Sequence, residues 1–120
     1  MYIDKEMDYP DIYKVWPKKC AIANNYQGTG YATMLNVSGK GWFLGAYQHV
    51  GDDDGMTGYV QIIIDGVTKI DGMVLFSTYE YGGVPRNLVL PIRFESSLVV
   101  NHRVASVNTG VGTTVVYNLD

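Results

Sequence analysis

At 120 residues, with 47% hydrophobic and 18% charged side chains, the chain is long enough for one domain with a real core and too short for two. Nine basic against 12 acidic residues give a net charge of −3, and the basic ones are scattered apart from Lys18-Lys19, which excludes the concentrated positive face that nucleic-acid binding requires. A single cysteine, Cys20, excludes an intramolecular disulfide, and no apolar run approaches the length of a membrane span.

Residues 1–19 differ from everything after them. Asp4, Glu6, Asp8 and Asp11 alternate irregularly with Lys5 and Lys14, and Tyr2, Met7, Tyr9, Ile12, Tyr13 and Trp16 are interleaved with them. The apolar positions follow neither a 2.0 nor a 3.6 period, and Pro10 and Pro17 interrupt the segment, so it is predicted to be an extended arm. Aromatic residues at this density are costly to leave in water, which predicts docking in trans on a neighbouring subunit or on a larger particle, with Tyr9, Tyr13 and Trp16 as buried anchors. The opening stretch from Met1 to Glu6 has neither the basic nor the apolar region of a secretory signal. Synthesis in a cytoplasm without classical export is therefore expected, and the Asn36-Val37-Ser38 sequon is idle.

From Cys20 to Asp120 the text changes to short segments separated by turn residues, read as a single domain. Strands are predicted over 20–26 and 31–38, flanking Gln27-Gly28-Thr29-Gly30, and over 42–49 after Gly39-Lys40-Gly41. The acidic loop Gly51-Asp52-Asp53-Asp54-Gly55 opens a strand over 56–64. Two Asp-Gly pairs then follow within eight residues, Asp65-Gly66 and Asp71-Gly72, and both favour tight turns. They predict a four-residue stub, Val67 to Ile70, between two reversals. Further strands are predicted over 73–81, 88–95, 97–107 and 113–119, with Gly82-Gly83 and Asn108 to Gly112 as connections.

Alternation gives the faces. Val60, Ile62 and Ile64 fall on one side of their strand, as do Leu98, Val100, His102 and Val104 of theirs, and Leu88, Leu90, Ile92 and Phe94 of a third. Pro91 inside a strand pattern predicts an edge or a bulge. Fourteen glycines, ten tyrosines and eight or nine short strands together predict an all-β, antiparallel β-sandwich, jelly-roll-like, carrying the extended N-terminal arm.

Candidate chemistry is sparse. Asp52, Asp53 and Asp54 could attract Ca²⁺, but calcium loops space their acids at alternate positions, and three in succession read as a solvated loop. His49 and His102 lack ligand-spaced partners, so no metal site is expected. Ser96-Ser97 near His102 is a conceivable nucleophile pair, yet no activating motif frames it. The Asn108 to Thr114 stretch lacks phosphate-loop spacing. The reading is non-enzymatic, with no cofactor, and Cys20 is expected to be a small buried hydrophobe. Tyr79, Tyr81, Tyr59, Tyr47, Trp42 and Trp16 could stack on sugar rings, or fill the core and a subunit interface.

The stretch DGVTKIDG, then LPIRFESSLVV and the closing VVYNLD, resembles small all-β virion proteins of tailed bacteriophages, over about the last half of the chain. The shared features are a hairpin through Asp65-Gly66, Pro91-Ile92-Arg93-Phe94 leading into Ser96-Ser97-Leu98, and a terminal strand. The resemblance implies an assembly role in the particle: capsid decoration or another head accessory position, or alternatively a tail or baseplate component, or a carbohydrate- or receptor-binding module. It implies a homo-oligomer that contacts other virion proteins and, in the last case, carbohydrate. It also implies a virion location after synthesis in the host cytoplasm, and it carries over no catalytic, metal or cofactor residue.

Overall fold

Turn-forming Gly and Asp residues divide β-branched and aromatic runs, and the described residues form strands joined by turns and short connections. The structure, a computed structural model, describes residues 18–50, 57–77, 87–105 and 110–120. In chain order the strands are β1 (Lys18–Tyr26), β2 (Ala32–Ser38), β3 (Gly41–Val50), β4 (Thr57–Ile64), β5 (Val67–Ser77), β6 (Asn87–Leu88), β7 (Ile92–Phe94), β8 (Ser97–Val104) and β9 (Val111–Leu119). No helix occurs among the described residues. The all-β, antiparallel expectation is met.

Two sheets form. In sheet A the order is β1-β9-β3, with the short β6 and β7 both pairing with the far edge of β3. In sheet B the order is β2-β8-β4-β5, and every pairing in both sheets is antiparallel. The core draws on both. Phe43, Ala46, Leu88, Phe94 and Val115 of sheet A share one cluster with Val60, Ile62, Ile64, Leu98 and Val100 of sheet B. Two of the faces read from alternation are thus inward faces: Val60, Ile62 and Ile64 are buried, and so are Leu98, Val100, His102 and Val104.

The third face holds at Leu88, Ile92 and Phe94 and fails at Leu90. Leu88 and Phe94 are buried, but Leu90 is exposed, because the chain leaves the sheet over 89–91 between β6 and β7. Pro91 lies in that break at the sheet edge, where a missing N–H costs no ladder bond.

The two Asp-Gly pairs part ways. Asp65-Gly66 forms the β4–β5 turn, both residues having positive φ (52° and 79°). Asp71-Gly72 does not turn the chain, and the predicted stub is the first part of the eleven-residue β5. Val60 pairs with Met73 and Ile62 with Ile70, so Asp71 and Gly72 together oppose Gln61. That is a β-bulge, and Gly72 within it has a positive φ (73°), which glycine adopts without strain. Gln61 Nε2 donates to Asp71 Oδ1 at 3.0 Å across it.

Asp65 has a second task. Its carboxylate accepts the backbone N–H groups of Glu95, Ser96 and Ser97 at 2.7–3.0 Å and the Ser96 hydroxyl at 3.0 Å. These donors, the Glu95 amide first, hold the carboxyl far below its ordinary value. The clasp ties the β4–β5 turn to the turn where the chain crosses from β7 in sheet A to β8 in sheet B.

The predicted arm boundary shifts slightly. Lys18 and Lys19 belong to β1, pairing with Asn118 and Tyr117, and lysine is at home in an edge strand. The rest of the arm, with Tyr9, Tyr13 and Trp16, lies outside the described residues, as do Asp52, Asp53, Asp54, Tyr79 and Tyr81.

Candidate functional site

Strand register decides which side chains share a face, because directly paired residues project to the same side. On the outer face of sheet A this gives three rows. Asn118, Trp42 and Arg93 form the first, Cys20, Val116 and Gly45 the second, and Ile22, Thr114 and Tyr47 the third. In the first row Arg93 binds Asp120 in bidentate fashion (2.9 and 2.6 Å), donates to Glu95 and lies 5.7 Å over the Trp42 ring. This pairing lowers the Asp120 carboxyl below its usual range, the Arg93 hydrogen bond being the main cause.

The second row is apolar, and the third joins Ile22 to Thr114 and Tyr47. A β-bulge at Leu44, between the Phe43 and Gly45 registers, opens a groove of about 480 Å³ between β3, β6 and β9. Gly45 and Ala46 form part of its lining, with Leu44, Tyr47, Val89 and Val116 around them. The surrounding surface is unusually apolar for an exposed sheet face: Ile22 is 63% exposed and Val89 80%. Cys20 is exposed in the same face rather than buried, since its parity in β1 points away from the core.

Sheet B presents different chemistry outward. Thr33 donates to Asn101 (2.7 Å), Asn101 to Gln61 (2.8 Å), and Gln61 to Asp71 (3.0 Å), a polar row crossing all four strands. Beside it the Arg103 guanidinium lies 4.0 Å from the Tyr59 ring centre and 5.3 Å from that of Tyr31.

Between the sheets, at the end of β8 remote from Ser97, sits a buried polar cluster. Gln48 Nε2 donates to the Tyr59 carbonyl (3.1 Å) and to Thr113 Oγ1 (2.9 Å). The same Thr113 hydroxyl shares a hydrogen bond with His102 Nδ1 at 2.7 Å. The Tyr26 ring stacks on His102 at 5.0 Å. Gln48 Oε1 is buried with no hydrogen-bond partner, because turning the amide over would set two acceptors face to face at Tyr59. Burial pushes the His102 pKa below its ordinary 6.5. As pH falls through 6.5 the unfolded chain takes up a proton that the folded chain resists, so stability is full above that value and declines below it. A histidine NMR titration should therefore show the His102 midpoint below 6.5; a midpoint at or above 6.5 would mean that burial does not govern this ring.

This arrangement does not assemble the conceivable serine–histidine pair. Ser96 Oγ donates to Asp65, and His102 faces Thr113, five residues and roughly 16 Å along β8 from Ser97. Among the described residues no group of three His, Cys, Asp or Glu side chains is placed to hold a metal ion, and no helix is long and apolar enough to cross a membrane. Of the aromatic residues considered for stacking on sugars, Trp42 is buried under Arg93, Tyr47 lies on sheet A and Tyr59 on sheet B, so these three share no strip.

Sequence reasoning passed over Ile22, Leu44, Val89 and Val116. For Val116 the signal was present as an adjacent apolar pair, Val115-Val116, which in a one-sided sheet must place one member outward. No protein-family model, curated protein or solved structure matches the chain.

Proposed function

We propose that the protein is a non-enzymatic structural component of a bacteriophage virion, a capsid decoration or head accessory protein that works through protein–protein contacts. The observation that carries this reading is the apolar outer face of sheet A, where Val89 and Val116 line an open groove, with Ile22 exposed on the same face, and the described strands leave that face uncovered. A surface of this kind marks a contact with another macromolecule. Strand order supports a jelly-roll sandwich: consecutive strands alternate between sheets at every connection except the β4–β5 hairpin and the β6–β7 break, and viral capsid proteins are among the users of that architecture. The resemblance of residues 65–120 to small virion proteins points the same way.

Co-sedimentation tests it. Purified chain mixed with capsids from the genome that encodes it should pellet to a saturating ratio, and Val89→Glu should weaken the binding by about tenfold, the effect of a lost interface anchor. A chain that stays in the supernatant at every ratio argues for a tail or baseplate position or against the particle altogether.

A second reading rests on sheet B. Lectin domains also use jelly rolls, and Tyr31, Arg103 and Tyr59 beside the Thr33–Asn101–Gln61–Asp71 row combine flat rings with planar hydrogen-bonding groups, the chemistry of carbohydrate recognition. Reproducible glycan-array binding abolished by Tyr59→Ala would favour that module over a purely structural role.

A further inference from the structure

The sheet A groove and the chain that leads into sheet A are complementary. Strand β1, one edge of that sheet, begins at Lys18, and 17 residues precede it, with Tyr9, Tyr13 and Trp16 among them. The groove, about 480 Å³ and lined chiefly by apolar side chains and glycine backbone, is of the size that takes a few large side chains. We infer that residues 1–17 of one copy dock in the sheet A groove of a second copy, their aromatic side chains covering Leu44, Val89 and Val116. This rests on the assembly reading above and specifies the surface through which copies join.

Direction favours a second copy over the same one. Pro17 immediately precedes β1, and the residue before a proline is steered to extended conformations, which carries the chain onward along the strand line. That line leaves the sheet past the Asn118–Trp42 row, whereas the groove lies the other way, from the Gly45–Val116 pair toward Tyr47–Thr114. Seventeen extended residues reach up to roughly 55 Å, enough to cross to a neighbour. An aperiodic segment with prolines is also poorly suited to pairing as a further strand beside β1, so side-chain insertion rather than ladder extension is the mode that fits it.

The test uses the full chain. Methyl NMR spectra are recorded over a dilution series, alongside mass by sedimentation equilibrium, for the native protein, Val89→Glu and Trp16→Ala. Val89 is 80% exposed, so its replacement should leave the fold intact. Mass should rise with concentration while the Leu44, Val89 and Val116 methyls shift and Val99, on the outer face of sheet B, does not. Each substitution should weaken association by about tenfold or more. Mass that rises with no change at the groove methyls overturns the inference and leaves assembly standing through another surface. A chain that remains monomeric at all concentrations overturns it together with self-assembly. Groove methyls that are already shifted in the dilute monomer, and move on Trp16→Ala, place the segment on its own sheet and overturn docking in trans.

Discussion

Gly41→Ala should cost about 3 kcal/mol or more, a large share of the 5–15 kcal/mol that holds a domain of this size together. Gly41 starts β3 and pairs with Leu119 on one side and Phe94 on the other. A Cβ there would land on the Asn118 carbonyl oxygen and within 2.9 Å of the Phe94 ring. The ring could swing aside, but the carbonyl is backbone in the middle of sheet A, so β3 and β9 would have to part. The same fold cannot accept that without losing ladder bonds on both sides. Chemical denaturation followed by circular dichroism is the measurement. A midpoint equal to that of the native protein would show that the two strands separate at little cost, contrary to the packing described.

Phe94→Ala is the second large effect, expected at about 3–5 kcal/mol. Phe94 is fully buried in the cluster shared by both sheets, and it covers the glycine it pairs with. Its strand, β7, has three residues and can draw little on its own ladder. Loss of the ring leaves a cavity between the sheets that Ile92 and Leu88 cannot fill without moving the 89–91 break. Because the outer face of sheet A is not touched by Phe94, its binding in the folded fraction should be retained. A loss under about 1 kcal/mol would mean that the site collapses around the smaller side chain.

Much of this was legible from residue order. The rows Val60-Ile62-Ile64 and Leu98-Val100-His102-Val104 fixed two inward faces, because a period of two leaves no other placement for them. What escaped notice depended on pairing. Asp71-Gly72 suits a hairpin turn and a bulge alike, since glycine accommodates the positive φ either can use, and only the opposing Gln61 distinguishes them. The bulge at Leu44 reverses parity within β3, so that Phe43, Ala46 and Gln48 all face inward; no local signal announces a buried glutamine. The groove was hidden for a related reason. An apolar residue on the outer parity of β9 reads as buried until the order of strands shows that no described element lies over it.

The clasp at Asp65 bears on how this molecule meets acid. Strand β8 is held at its start by that carboxylate, which accepts the Ser97 amide, while His102 lies near its other end. The first stays charged well below the ordinary carboxylate range; the second resists a proton from 6.5 downward. Acidification therefore costs stability through the His102 end of β8 and spares the Asp65 end. The NMR titration of His102, read also at the Ser97 amide, would see the two sheets loosen where Tyr26, Gln48 and Thr113 gather while the turn joining β7 to β8 stays closed. Such a molecule yields to acid from one end, like a hinge with a single pin drawn.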